Sequence, residues 1–403
     1  MTTNRRPRGR QSALKTAAAS VLGVAVYSLF SEESYLHNGR RSLTSELEHE
    51  MDMNSVAAPL YEPVRIVVVD DAEAADINAE ENMSYLTSSH ATLLPWAQNN
   101  LVDIHEGPAQ TDATNMFWHV PKAGGTTAKQ LYQCMGKTLT IRIGIDPRYG
   151  HDQTDELVVF PPVSGKDWMT VNVDTTIRPG IVRARKMGLV QSHTADLIFT
   201  MEPAFAGEKL FDPQNKGRIM ALFRNPIDRL VSKFYYLQTA TWERTYKPEW
   251  KDMSIVEWAE LPSEDENFMV RKLTGKLFNQ PVNEMDLILA KEFLRQRVVV
   301  GLMGEMAESF RRFNIAMNVD VQDERNHRCL EEYFGEKEEV KNSNKHPKVI
   351  EGSPEWRALA QKNHLDMILY AYAEKLFEEQ KEIIDSYTTP VSVNTEDGGV
   401  EKV

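Results

Sequence analysis

Phe117-Trp118-His119-Val120-Pro121-Lys122-Ala123-Gly124-Gly125-Thr126-Thr127 reads as the end of a strand, a tight turn and the first residues of a helix. Paired glycines permit backbone angles and close approaches that a Cβ would block. In such a turn the amides of the loop and of the first helical residues converge on one point, where the helix dipole favours negative charge. Thr126 and Thr127 add hydroxyl donors, and Lys122 adds a full positive charge. The stretch predicts a cradle for a phosphate or sulfate, walled by Lys122, Ala123, Gly124, Gly125, Thr126 and Thr127. It is not a Walker A loop, in which the lysine follows the second glycine and the hydroxyl holds magnesium. Here Lys122 precedes both glycines.

Further along, Arg218 to Phe223 is strand-like and runs directly into Arg224-Asn225-Pro226. Asparagine is a good N-cap and proline suits the first helical position, so a helix should start there. Ile227, Leu230, Val231 and Phe234 then recur at i, i+3, i+4 and i+7, which gives one buried face. Arg224 at the strand end and Ser232 on the helix are expected to converge on a second anion, since the arginine fork grips phosphate through two donors. Arg229 reads instead as a structural ion-pair residue.

Around these motifs, strand-like runs (Asn115 to Val120, Met187 to Gln191, Arg218 to Phe223, Arg297 to Leu302) alternate with helix-like runs. The latter are Thr126 to Gln133, Thr194 to Phe199, Ile227 to Leu237 and Met306 to Met317. Such alternation predicts an α/β domain with a mostly parallel central sheet flanked by helices. Ligands of such sheets bind at the carboxyl ends of the strands, where both motifs fall. The net charge of −13 argues against general nucleic-acid binding, so positive charge for an anionic ligand must be concentrated locally. Cys134 and Cys329 fit no zinc-ligand spacing; two separate buried thiols are the expectation, and pairing in an oxidising compartment is the alternative.

The first stretch resembles the 5′-phosphosulfate loop of the sulfotransferases that use 3′-phosphoadenosine 5′-phosphosulfate (PAPS), in particular the Golgi carbohydrate type. Leu222 to Ser232 is similar to the 3′-phosphate motif of the same family, and the two occur in the family's order. The resemblance spans roughly Asn115 to Phe377 and implies a P-loop-NTPase-like sulfotransferase fold. It implies that Lys122, Ala123, Gly124, Gly125, Thr126 and Thr127 hold the 5′ end of PAPS, and that Arg224 and Ser232 hold its 3′-phosphate. Lys122 would stabilise the leaving phosphate. Gln191-Ser192-His193-Thr194 resembles the family's segment with the catalytic histidine, so His193 is expected as general base at a strand's carboxyl end; Ser192 stands where the family often has glycine. His119, inside the preceding strand, is the competitor and reads as packed. Glu266 to Gly275 resembles another family segment and marks Asn267 and Arg271 as candidate contacts to the acceptor. The run ending Val299-Val300-Gly301-Leu302 has a family counterpart too. Asn342-Ser343-Asn344-Lys345-His346-Pro347 is either a loop closing over the nucleotide or a polar surface loop. Tyr370, Tyr372 and Phe377 read as core on helical spacing. No carboxylate set demands a metal, and none is expected.

The resulting expectation is transfer of a sulfuryl group from PAPS to a hydroxyl of a glycan. The rivals are an ATP-dependent kinase on a related sheet and a non-catalytic member that binds nucleotide or glycan. Arg5, Arg6, Arg8, Arg10 and Lys15 precede an uncharged stretch from Thr16 to Phe30, with Glu32 and Glu33 after it. This asymmetry predicts a cytosolic tail and signal-anchor helix in residues 1–30, hence a single-pass type II Golgi membrane protein. A cleaved signal peptide and an organelle-targeting peptide use similar residues and stay open. Residues 31–112 read as an acidic stem with one strand-like run, Val64 to Val69, and one glycosylation sequon at Asn82. Residues 113–385 form the expected catalytic domain, and residues 386–403 a fraying tail.

Overall fold

The computed structural model describes residues 91–141, 154–160, 169–241, 243, 246–263, 265–335 and 346–388. The expected anchor, the run Val64 to Val69, the sequon at Asn82, residues 342–345 and the end of the tail lie outside the described residues.

In chain order the elements are α1 (Pro95–Asn100), β1 (Thr114–Trp118), α2 (Gly125–Cys134), β2 (Leu139–Thr140), β3 (Val159–Phe160) and β4 (Thr170–Val171). There follow α3 (Arg178–Lys186), β5 (Leu197–Thr200), α4 (Pro203–Lys209), β6 (Gly217–Phe223), α5 (Pro226–Leu237), α6 (Ile255–Glu260) and α7 (Phe268–Leu273). The last are α8 (Glu284–Arg297), β7 (Val298–Leu302), α9 (Met306–Ala316), α10 (Glu324–Phe334), α11 (Pro354–Lys362) and α12 (His364–Ser386). The strands form one seven-stranded sheet in the order β3-β4-β2-β5-β1-β6-β7. Its pairings are parallel except that of β3 with β4. The chain is thus an α/β protein with a mostly parallel central sheet between helices.

Side chains alternate across this sheet, as the pleat requires. Met116 and Trp118 of β1, Ile219, Ala221 and Phe223 of β6, and Val298 and Val300 of β7 pack into one core with α8 and the first half of α12. Phe117, Met220, Leu222 and Val299 face the opposite way, into a core with α2, α9 and Cys329. Burial on both faces is why β6 and β7 read as continuous apolar runs. The folded body begins before residue 113, because Leu93, Ala97 and Leu101 belong to the first core. A third cluster stands apart: Ile227, Leu230, Val231 and Phe234 of α5 pack with Ile255, Trp258 and Ala259 of α6 and Leu359 of α11. So the predicted apolar stripe of α5 does not lie on the sheet; it mounts the helix on a separate small core.

Three expectations need correction. Met187 to Gln191 is a turn after α3, and Thr194 to Phe199 is no helix; the strand is Leu197–Thr200. Gly188, at φ 72°, terminates α3, and the Leu189 amide bonds back to the Ala184 carbonyl. That leaves Leu189 and Val190 as buried cap contacts instead of strand residues. Short apolar runs do not reveal their period, and here pairing with β1 and β2 decides it. Finally, Cys134 and Cys329 are joined in a disulfide, since α10 packs on the last turn of α2. Arg325 fixes that contact by donating from Nε to the Cys134 carbonyl at 2.6 Å. No helix among the described residues is long and apolar enough to cross a membrane.

Candidate functional site

β1 hands its chain to the cradle at the carboxyl edge of the sheet. The last ladder bond there is His119 N–H to Thr200 C=O, and Ala123 N–H then bonds Val120 C=O to close a tight turn. Lys122 (φ 65°) and Gly124 (φ 84°) both adopt left-handed backbone, which glycine takes freely and lysine only at a cost of about 1 kcal/mol or more. The first helical bond of α2 runs from Ala128 N–H to Gly124 C=O. The amides of Gly125, Thr126 and Thr127 lie ahead of it and are the helix's orphan donors. Among the described residues no capping side chain takes them. Ala123 is buried behind the turn, while Thr126 is exposed. Gly125 is required by packing: a Cβ would stand 2.0 Å from Cδ2 of His119. That imidazole is held down to about 4 by burial and then by Lys129, so it is neutral.

The second motif meets the first. β6 lies beside β1 in parallel, so Arg224, directly after β6, emerges next to the cradle. Arg224 donates from Nη1 to the Lys122 carbonyl at 3.0 Å. Asn225 caps α5, accepting from the Ile227 amide at 2.9 Å and the Asp228 amide at 3.4 Å. Ser232 is buried on this helix. One turn later on the same face, Tyr236 places its ring 4.0 Å from Nζ of Lys122 and donates its hydroxyl to Glu243 at 2.7 Å. Burial, then Arg224, lowers the ammonium of Lys122 from its usual range, and Glu243 opposes that shift. Arg229 turns the other way and pairs with buried Asp265 at 3.1 Å, as Lys233 does at 2.6 Å. It is the structural ion pair expected of it.

His193 is not brought to this place. It precedes β5, so it lies at the amino edge of the sheet, exposed, beside Gln191, whose amide reaches Asp212 ahead of β6. The length of β5 alone, roughly 13 Å, separates that edge from the cradle. The expectation that His193 ends a strand is overturned with the strand assignment itself.

Asn267 and Arg271 are taken up inside the fold. Asn267, at φ 45°, accepts on Oδ1 from the amides of Leu365 and Asp366, and so caps α12 from outside. Buried Arg271 donates from Nη1 to the carbonyls of Leu277 and Gln280. Both side chains are thus engaged within the fold. Tyr236 and Glu243 were not anticipated; the i+4 step from Ser232 is the one signal in the sequence that marks Tyr236. Among the described residues no three His, Cys, Asp or Glu side chains gather as a metal group. Comparison with known protein families gives no match for this chain, and a search of curated proteins gives no relative.

Proposed function

We propose that the chain is a sulfotransferase of P-loop-NTPase-like fold, which takes the sulfuryl group of PAPS to a hydroxyl of a glycan. The observation that carries this reading is the hydrogen bond between Arg224 and the Lys122 carbonyl. Two donor clusters, predicted separately, adjoin at one edge of one sheet, as the two charged ends of one nucleotide require. The local chemistry fits: orphan amides at Gly125, Thr126 and Thr127, a turn packed on His119 too closely for a Cβ at Gly125, and buried Ser232 on the neighbouring helix. Among the described residues no side chain caps the first turn of α2.

When bound, PAPS supplies an activated sulfuryl group. One S–O bond forms to the acceptor oxygen and the S–O bond to the 5′-phosphate breaks. Lys122 and the α2 amides stabilise the charge left on that phosphate, which is where pre-placed donors lower the barrier most. Arg224 and Ser232 hold the other end. The acceptor's proton leaves to a group other than His193, which is at the far edge. The Cys134–Cys329 disulfide suits an oxidising lumen and agrees with a type II Golgi protein.

The test is transfer of radiolabelled sulfate from PAPS across a panel of glycans, with labelled ATP in parallel. Sulfate incorporation supports the reading. Phosphate incorporation alone makes the chain a kinase, and nucleotide binding without transfer makes it a non-catalytic binder.

A further inference from the structure

Lys122 does not point freely into the cleft. Its ammonium sits 4.0 Å above the ring of Tyr236, well within cation–π range, and the hydroxyl of that tyrosine is held by Glu243 at 2.7 Å. Three elements meet here: the cradle loop, α5, and the segment after α5. Arg224 ties the backbone of the same lysine at its carbonyl. Lys122 is therefore fixed at both ends, the main chain by Arg224 and the side chain by Tyr236.

We infer that Tyr236, braced by Glu243, is a positioning residue that pre-organises the Lys122 ammonium beside the cradle. This deepens the nucleotide-binding reading and rests on it for its purpose. A lysine carries several rotatable bonds, and immobilising such a chain on binding costs affinity. An ammonium has three donors in a tripod. Its approach to the ring face leaves donors directed elsewhere, so the lysine meets an anion without leaving the tyrosine. Glu243 stays one hydroxyl away from the ammonium. The ring thereby keeps attraction to the carboxylate from drawing Lys122 out of the cradle. A direct Lys122–Glu243 salt bridge would compete with the anionic ligand; an intervening aromatic ring does not carry a full negative charge.

The experiment uses the full chain, reductively methylated with carbon-13 formaldehyde, so that each lysine gives its own NMR resonance. Lys122→Arg identifies the Lys122 signal by its absence. Native protein is expected to show that signal displaced upfield by the ring, and displaced still when adenosine 3′,5′-bisphosphate is bound. Tyr236→Leu is expected to abolish the displacement and, in unmethylated protein, to weaken bisphosphate binding roughly two- to tenfold, the scale of one immobilised long side chain. Tyr236→Phe and Glu243→Ala, which keep the ring but lose the brace, should fall between native and Tyr236→Leu. A native Lys122 signal among those of free lysines, or one unchanged by Tyr236→Leu, overturns the inference. Equal displacement in native, Tyr236→Phe and Glu243→Ala removes Glu243 from it. If the displacement follows the expected order but native protein binds no bisphosphate, the positioning stands and the nucleotide reading falls.

Discussion

Arg224 donates from Nη1 to the carbonyl oxygen of Lys122 at 3.0 Å, across the boundary between two neighbouring parallel strands. The residue assigned to one end of the nucleotide thus also fixes the backbone of the residue assigned to the other. Their replacements should differ in kind. Lys122→Ala is expected to lower single-turnover sulfate transfer more than it lowers nucleotide affinity, because charge builds on the leaving phosphate only during reaction. Arg224→Ala is expected to act mainly on affinity, with a loss of tenfold or more, as for a charged hydrogen bond of about 1.5–3 kcal/mol. Calorimetry and single-turnover kinetics on both variants check this split.

Gly125→Ala should damage the cradle through packing. Its Cβ would meet the His119 ring at 2.0 Å, so the imidazole or the turn must move. A loss of about 1–3 kcal/mol is expected in chemical denaturation, with loss of anion binding. Gly304→Ala is the control: a Cβ there meets nothing within 4 Å, and little change is expected.

How far the sequence reveals this can be judged residue by residue. Gly124-Gly125 after an apolar run, and Asn225-Pro226 before an amphipathic one, are local signals, and local geometry answers to them. Lys122, the cradle glycines and Arg224 were legible for that reason. The strand at Leu197–Thr200 was not, because its identity comes from pairing with β1 and β2. His193 was misplaced along with it. Asn267 and Arg271 matched a plausible pattern, but their polar atoms serve α12 and nearby carbonyls, partners up to 99 positions away in sequence. The contact of Lys122 with Tyr236 is tertiary in the same sense. The third apolar cluster explains it, since α5 is held off the sheet by α6 and α11 and so faces the cradle.

The disulfide joins the last residue of α2 to α10 across a separation of 195 residues. Closing a loop of that size constrains the unfolded chain by roughly 5 kcal/mol on a chain-entropy account. Cys329→Ser, or native protein under reductant, should therefore melt at a lower temperature. Calorimetric scans with and without reductant check it, and Cys329→Ser should no longer respond to reductant.

Asp265 should contribute to acid sensitivity. Burial opposes its charge, but Lys233 and Arg229 hold the carboxyl down to about 2, below its ordinary 3.8. Its contribution, about 2 kcal/mol, is complete above the ordinary value and is lost as pH falls through the folded one. Asp366 behaves oppositely: burial raises it to about 6, although the amides of Met269 and Val270 pull it back. Its contribution is present below 3.8 and disappears as pH rises through about 6. Asp265→Asn is expected to flatten the acid limb of a stability–pH profile. Asp265→Ala should cost about 3–5 kcal/mol near neutrality, because it leaves buried Arg229 unpaired.

The central claim is that one nucleotide is gripped at both charged ends by adjoining sites. Titration calorimetry of the full chain with adenosine 3′,5′-bisphosphate and with adenosine 5′-monophosphate, in native protein and in Arg224→Ala, tests it most directly. The account predicts that native protein prefers the bisphosphate and that Arg224→Ala abolishes the preference. Equal affinity for the two nucleotides in native protein, or a preference that survives Arg224→Ala, would contradict it.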